Sequence, residues 1–228
     1  MKNQLHPISA TDEPLSWAQT RALMRRDFER YRPLMGDSAS LPKKVFWLLR
    51  PAPLGLLAYR VYRHAYLRGW RNLANLMFLA SRYVTGMDIP PTTSIGGGCL
   101  LGHGSIILCG RIGEGFTMMG HGGIGGGFDS TDVGAGPGLP VVGDNVVMAI
   151  QASVLGPVRI GDGARLGPGC TVMRDVPAGA VVAAAPSRVM QVPQPQVGAA
   201  ESTLKPLPAT VERSAAVVNS KLQGSTSS

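Results

Sequence analysis

Aliphatic residues recur every six positions through the second half of the chain, and this is its dominant pattern. Between 142 and 176, each block of six opens on an aliphatic residue and has a small or β-branched residue at its fifth position. The opening residues are Val142, Met148, Val154, Ile160, Leu166 and Val172. Glycine fills the second position of three of these blocks, as expected where a chain turns sharply. A fixed period with two constrained positions indicates a structural repeat.

A six-residue period predicts a specific architecture. Three blocks make one triangular coil of three short parallel strands, and the aliphatic residue points into the prism, where it stacks on its counterparts in neighbouring coils. The fifth position faces inward near a corner, so it must be small. We therefore predict a mainly β fold, a left-handed parallel β-helix, which is an exception to the usual right-handed crossover. A generic all-β domain with glycine-rich turns is the alternative.

The same period extends toward the N-terminus with one irregularity. The aliphatic positions begin at the block after Asp88 and are Ile89, Ile95, Leu101 and Ile107. A one-residue slip then gives Ile112, Met118 and Ile124, and residues 125–140 form a glycine-rich loop before the repeat resumes. The β-helix is thus predicted over 88–190.

The first third of the chain has helical periodicity. Apolar residues from 15 to 34 recur at helical spacing, with Ser16 as a candidate cap. A short helix over 42–50 is predicted to end at the following prolines, and 54–69 and 70–85 form a helical pair. The apolar positions predicted to face inward in this pair are Leu57, Val61, Ala65, Leu73, Leu76, Met77, Ala80 and Tyr83. We thus predict a helical segment over 15–87, with residues 1–14 and the polar 191–228 disordered.

Charge is unevenly distributed along the chain, whose net charge is +8. Residues 1–87 contain fourteen Lys or Arg against five Asp or Glu, whereas 88–190 contain five against seven. The basic helical residues Arg60, Arg63, Arg68 and Arg71 are interpreted as a surface for peripheral contact with an anionic membrane. A solvated helix face is the alternative. Nucleic-acid binding is not expected, because no basic stripe with aromatic platforms and no known motif is visible.

Compartment and metal content are constrained only by absences in the sequence. Residues 1–14 lack an apolar core, so no signal peptide is predicted, and the apolar run over 45–57 is too short and interrupted to span a bilayer. The three cysteines form no CxxC pair, and Cys99 and Cys170 occupy small fifth positions of the repeat. We expect a cytoplasmic protein, with the inner face of the membrane as its contact surface, and no metal site.

Several short motifs resemble those of the bacterial serine acetyltransferases, a family of hexapeptide-repeat acyltransferases. They are Asp88-Ile89-Pro90, His103-Gly104, Ile124-Gly125-Gly126, Val154-Leu155-Gly156-Pro157 and the run from Arg174 to Gly179. The resemblance covers residues 20–190 and implies acetyl-CoA as donor and a homotrimer with sites between neighbouring prisms. The fifteen-residue spacing of Asp88 and His103 matches the family's catalytic Asp and His.

The resemblance and the chemistry of acyl transfer together assign roles to these residues. O-acetyl transfer needs a base for the hydroxyl, and a histidine titrates in the useful range. His103 is the expected base, with Asp88 orienting its imidazole. His121 is a second candidate for the base, an acceptor contact or a turn residue. The positions expected to bind coenzyme A, through exposed backbone amides and phosphate contacts, are Gly125, Gly126, Ala149, Ala152, Gly167, Arg174 and Arg188.

The chain departs from the family where the acceptor is expected to bind. The family has an Arg-His-Pro at the end of the glycine-rich loop, and this chain has Gly138-Leu139-Pro140 instead. Because a free amino acid brings a carboxylate that needs a cation or donors, we expect the acceptor to be a sugar hydroxyl. The chain is most similar in pattern to the capsule and exopolysaccharide O-acetyltransferases. The alternatives are a serine O-acetyltransferase of cysteine biosynthesis and a non-catalytic scaffold of a polysaccharide synthesis complex.

Overall fold

The computed structural model describes residues 13–36, 40–127, 132, 134 and 136–185. Within this part, four helices precede fourteen short strands. The expected disorder of the two ends falls almost entirely on residues outside the described part.

The helical segment begins with α1 (Trp17–Met35) and α2 (Leu41–Leu48), followed by α3 (Pro51–Leu67) and α4 (Arg71–Thr85). Ser16 caps α1 as predicted, since its hydroxyl accepts the Gln19 N–H while the Gln19 side chain accepts the Ser16 N–H. α3 begins at Pro51, three positions earlier than predicted, because proline suits the first turn of a helix. No helix in the described ranges is both long and apolar enough to cross a membrane.

The inward faces of the helical pair match the prediction only in part, since Ala65 of α3 is buried as predicted. In α3, Leu56, Tyr59 and Tyr62 are buried, whereas Leu57 is exposed. In α4 only Ala74 and Thr85 are buried, and the predicted inward residues Leu73, Leu76 and Tyr83 are exposed. Periodicity identified both helices and the apolar face of α4, but that face is largely exposed in the structure.

The strands form three parallel sheets, and successive strands of the chain belong to different sheets. Sheet A contains β1, β4, β7, β10 and β13; sheet B contains β2, β5, β8 and β11; sheet C contains β3, β6, β9, β12 and β14. This order is that of a parallel β-helix, as the six-residue period predicts. The strand bounds are β1 (Met87–Asp88), β2 (Ser94–Ile95), β3 (Leu100–His103), β4 (Ile106–Leu108), β5 (Arg111–Ile112), β6 (Thr117–Gly120), β7 (Gly123–Gly125), β8 (Val141–Val142), β9 (Val147–Met148), β10 (Ser153–Leu155), β11 (Arg159–Ile160), β12 (Arg165–Leu166), β13 (Thr171–Val172) and β14 (Val181–Val182).

The core of the β-helix is the predicted aliphatic stack, with one correction to its phase. Ile107 is exposed, and its neighbours Ile106 and Leu108 are buried instead. Leu108 pairs with Ile124 in register, so it is the residue that continues the stack. The chain therefore has one extra residue at the corner after His103 and a shorter corner after Leu108. The sequence period alone does not locate these two corners, because the longer one and the shorter one nearly compensate each other in residue number.

Three tyrosines dock the helices onto the first coils of the β-helix. Their hydroxyls donate to backbone carbonyls, Tyr31 to Leu101 (3.0 Å), Tyr59 to Thr93 (2.8 Å) and Tyr62 to Ile89 (2.6 Å). We call these residues the docking tyrosines. Each buries a large ring and satisfies its hydroxyl at once, so α1 and α3 are held at a fixed position against the strands that precede and contain His103.

Candidate functional site

His103 lies at the end of β3, where the chain passes from sheet C to sheet A. The corner that follows has the same position in each coil, and four of its residues have a positive φ. They are Gly104 (+77°), His121 (+49°), Gln151 (+60°) and Gly169 (+67°). We call this stack of residues, together with His103, the His103 corner. Backbone bonds connect its levels, since the Gln151 N–H donates to Gly120 and the Gly169 N–H donates to Ile150.

Two residues of the His103 corner carry side chains in a conformation that favours glycine. A left-handed residue with a side chain costs about 1–2 kcal/mol relative to a right-handed one. Asn145 is the other such residue among those described, at a different corner, and asparagine tolerates this conformation well. His121 and Gln151 are both exposed, so neither is held there by burial in the core.

The two candidate bases lie at adjacent levels of the corner. His103 pairs in register with Gly120, so His121 lies opposite Gly104 in the adjacent coil. The His121 ring occupies the space that a Cβ on Gly104 would need. His103 and His121 are thus brought to one exposed corner, and the assignment of the base to His103 stays a prediction.

Asp88 lies around the corner from His103, in β1 of sheet A. Its register partner is Ile107, and its carboxylate forms an ion pair with the Arg82 guanidinium at 3.3 Å. Within the described residues, no hydrogen bond joins Asp88 to His103. The orienting role of Asp88 therefore stays a prediction.

The residues expected to bind coenzyme A separate into two groups. Ala149, Ala152 and Gly167 lie at the levels of the His103 corner, whereas Gly125 and Gly126 lie at the far end of β7, where the glycine-rich loop begins. Gly126 permits a close approach of this loop, because a Cβ there would overlap the Gly138 carbonyl. A coenzyme A molecule in contact with both groups would have to extend across the width of sheet A.

The expected backbone amides at the His103 corner are already engaged. The N–H groups of Ala149, Ala152 and Gly167 donate to the carbonyls of Leu166, Ala149 and Val182, respectively. The Ala152 side chain is fully buried. The bonds of Ala149 and Gly167 join neighbouring coils, and the Ala152 bond lies within the corner. Contact of these residues with coenzyme A stays a prediction.

Of the two arginines expected to contact the phosphates of coenzyme A, the structure describes only Arg174. Arg174 is exposed, and no ion pair of it is found in the described part of the chain. Its neighbour Asp175 instead accepts the Arg159 backbone N–H at 2.7 Å. Arg188 lies outside the described residues.

The expected basic face of the helices is largely internal. Arg60 is 3% exposed and donates to the carbonyls of Ile95 and Gly96, and it also forms a buried ion pair with Asp27. Arg63 is likewise buried and donates to the Pro91 carbonyl at 2.6 Å. Only Arg68 and Arg71 of the four residues remain exposed. These arginines satisfy strand carbonyls at the helix contact, a role that sequence periodicity does not reveal.

Sequence analysis also missed a cavity of about 130 Å³ beside His103. The end of α2 and the start of α3 form one wall, which includes Trp47, Arg50 and Pro51, and β3 forms the other. The available signal was Arg50 itself, a charged residue inside the apolar run over 45–57. No group of three or more histidine, cysteine or acidic side chains in the described ranges is arranged to hold a metal ion.

This repeat and fold define a class of transferases. Residues 140–174 match the family model described as bacterial transferase hexapeptide (six repeats). A structure of Neisseria gonorrhoeae serine acetyltransferase in complex with serine has a TM-score of 0.64 and 26% identity, and the match covers 77% of this chain and 70% of that one. The chain is therefore a hexapeptide-repeat protein with the fold of these acetyltransferases.

Curated relatives narrow the class further. The serine acetyltransferase of Helicobacter pylori strain J99 is 32% identical over 162 residues, which are 70% of this chain and 92% of that protein. That of Mycobacterium tuberculosis is 34% identical over 157 residues, which are 65% of this chain but only 64% of that protein. The chain belongs to the serine acetyltransferase family, and it is an acyltransferase.

These relatives correct the expected function. A sugar acceptor in polysaccharide synthesis is wrong as the leading interpretation, because the similar proteins are serine acetyltransferases. The presence of Gly138 and Leu139 at these motif positions does not by itself exclude serine as the acceptor. Family membership also favours an enzyme over a non-catalytic scaffold.

Proposed function

We propose that this protein transfers the acetyl group of acetyl-CoA to the hydroxyl of L-serine. The observation that carries the proposal is the relationship to the Helicobacter pylori serine acetyltransferase, which extends over 92% of that protein. His103 supports it, because its imidazole is exposed and its spacing from Asp88 resembles that of the family's catalytic pair.

The proposed reaction uses His103 as general base. Its imidazole takes the hydroxyl proton as the serine oxygen attacks the thioester carbonyl carbon. The carbon–sulfur bond then breaks, and the thiolate of coenzyme A leaves and takes the proton back from the imidazolium. A proton balance of this kind needs one titratable group within reach of both atoms, and a histidine at an exposed corner meets that need.

The test measures thiol release from acetyl-CoA with L-serine, and O-acetylserine formation by mass spectrometry. We expect turnover by the full chain, loss of at least about 100-fold in kcat for His103→Ala, and retained activity for His121→Gly. The glycine variant is a suitable comparison because position 121 already has a glycine-like φ. Turnover of L-serine no faster than hydrolysis of acetyl-CoA would refute the function. Loss of activity in His121→Gly alone would assign the base to His121.

We also propose a homotrimer in which neighbouring prisms meet at the His103 corner. Ile107, Met119 and Ile150 are about half exposed and lie near this corner, where a second prism would cover them. Light scattering should give the mass of three chains, and Ile150→Asp should reduce both that mass and the activity. An active monomer would contradict this arrangement. Membrane contact is not part of the proposal, since Arg60 and Arg63 are internal.

A further inference from the structure

The cavity beside His103 has one permanently charged residue in its lining. Arg50 lies just before the first turn of α3, and His103 and Gly104 form the opposite wall. A volume of about 130 Å³ is well below that of pockets for drug-sized ligands, which begin at roughly 300 Å³. The cavity therefore suits a ligand with only a few non-hydrogen atoms.

The Arg50 guanidinium is positioned by an aromatic ring and not by an acid. It lies 4.4 Å from the centroid of the Trp47 ring. No ion pair of Arg50 is found within the described residues, and the sequence from 38 to 87 contains no aspartate or glutamate. A guanidinium stacked on a ring keeps its N–H groups at the edge, where they can bind an anion.

The neighbouring backbone also favours a negative charge. Arg50 is the N-cap of α3, a helix of 17 residues, so the positive end of the helix dipole lies at the same wall of the cavity. This contribution is smaller than that of the guanidinium, but it has the same sign. Both features point to a ligand that brings an anionic group to this wall.

A carboxylate is the anion that the proposed acceptor carries. In serine, two carbon atoms separate the carboxylate carbon from the hydroxyl oxygen, so the groups that bind them must face one small cavity. Arg50 and His103 do so. A guanidinium binds a carboxylate through two parallel hydrogen bonds, which fixes the orientation of the ligand as well as its position.

We infer that Arg50 binds the α-carboxylate of the acceptor and makes the site selective for hydroxy amino acids over uncharged alcohols. This inference rests on the proposed function. It also accounts for acceptor binding in a chain that has Gly138 and Leu139 at the motif positions expected to supply a cation. Arg50 is a specificity-determining residue in this arrangement, and His103 remains the base.

The test compares L-serine with L-serinamide, which has the hydroxyl and the amine but no carboxylate. For Arg50→Gln we expect a KM for L-serine raised by about 10- to 100-fold, with the KM for acetyl-CoA and the kinetics with serinamide within a few-fold of the unmodified protein. Arg50→Lys should have an intermediate KM, since it keeps the charge and loses the fork. Arg68→Gln, at the other end of α3 and exposed, is the matched control and should behave as the unmodified protein.

Circular dichroism and calorimetric titration of L-serine separate the outcomes. A folded Arg50→Gln variant with an unchanged KM and affinity for L-serine would overturn the inference while leaving the proposed function intact. If the unmodified protein acetylates no serine, the proposed function fails, and titration decides the inference independently. Binding of L-serine that Arg50→Gln weakens would support it, and absence of binding to the unmodified protein would overturn it.

Discussion

The buried ion pair between Asp27 and Arg60 should contribute far more to stability than an exposed pair of the same chemistry. Arg60 Nε lies 2.8 Å from Asp27 Oδ2, and the two side chains are 3% and 5% exposed. Asp27 Oδ1 also accepts the Cys99 N–H, so the pair connects α1 and α3 to the β-helix. Arg60→Met leaves a buried carboxylate without its cation, which costs about 3–5 kcal/mol in the free energy of unfolding.

A matched control exists in the same helix α1. Arg26 forms a similar paired contact with Glu114, but these side chains are 50% and 37% exposed. Solvent screens that pair, so Arg26→Met should cost about 1 kcal/mol or less. The substitution is the same in both pairs, and the pairs differ mainly in burial, since the exposed pair has a glutamate where the buried one has an aspartate.

Urea denaturation of both variants, followed by circular dichroism, measures the difference. The double variant Asp27→Leu, Arg60→Met removes both buried charges. Its loss in free energy of unfolding should be smaller than the summed losses of Asp27→Leu and Arg60→Met measured separately. It will not recover fully, because the carbonyls of Ile95 and Gly96 still lose their donor. Equal costs for Arg60→Met and Arg26→Met would refute the argument from burial, and strict additivity would refute the pairing.

Three further predictions concern the His103 corner and the docking tyrosines. Gly104→Ala should cost about 1–2 kcal/mol, because an alanine at this positive φ is strained and its Cβ displaces the His121 ring; denaturation and activity assays measure both effects. Gln151→Gly should be neutral or stabilising by up to about 1 kcal/mol, and Asn145→Gly, its control at another corner, should change stability less; a clear loss for Gln151→Gly would show that its side chain supports the fold. Burial raises the pKa of all three docking tyrosines, so they stay protonated when folded while the unfolded chain ionises near pH 10. The free energy of unfolding should therefore fall as pH rises above about 10, and Tyr→Phe variants, measured from pH 8 to 11, should flatten that fall.

The sequence was sufficient for the β-helix because its signal is local and repeated. An inward residue every six positions fixes which side chains stack, and Val142, Val154 and Leu166 are buried as expected. The exception, Ile107, lies where the corner lengths change. A hydrophobic period cannot distinguish Ile107 from Leu108 there, since both are aliphatic and the register depends on strand pairing with β7.

In the helices, sequence periodicity does not predict which charged residues are buried. Helix periodicity predicted that the arginines of α3 face solvent, but Arg60 and Arg63 are buried because strand carbonyls and Asp27 satisfy their donors. These partners are 28 to 36 residues away in the sequence. A charged side chain can be buried when long-range hydrogen bonds compensate it, and no local pattern encodes those bonds.

The same limit applies to the acceptor. A cation missing at Gly138 leaves a ligand carboxylate without a partner only if no other residue brings a cation to the site. Recognition of a carboxylate depends on where a charge lies in space, and a motif position is only one way to place it there. The chain brings Arg50 to the cavity of His103 from a segment that precedes the repeat by almost forty residues. Substitution at a motif position therefore predicts a changed ligand only after the lining of the folded cavity is known.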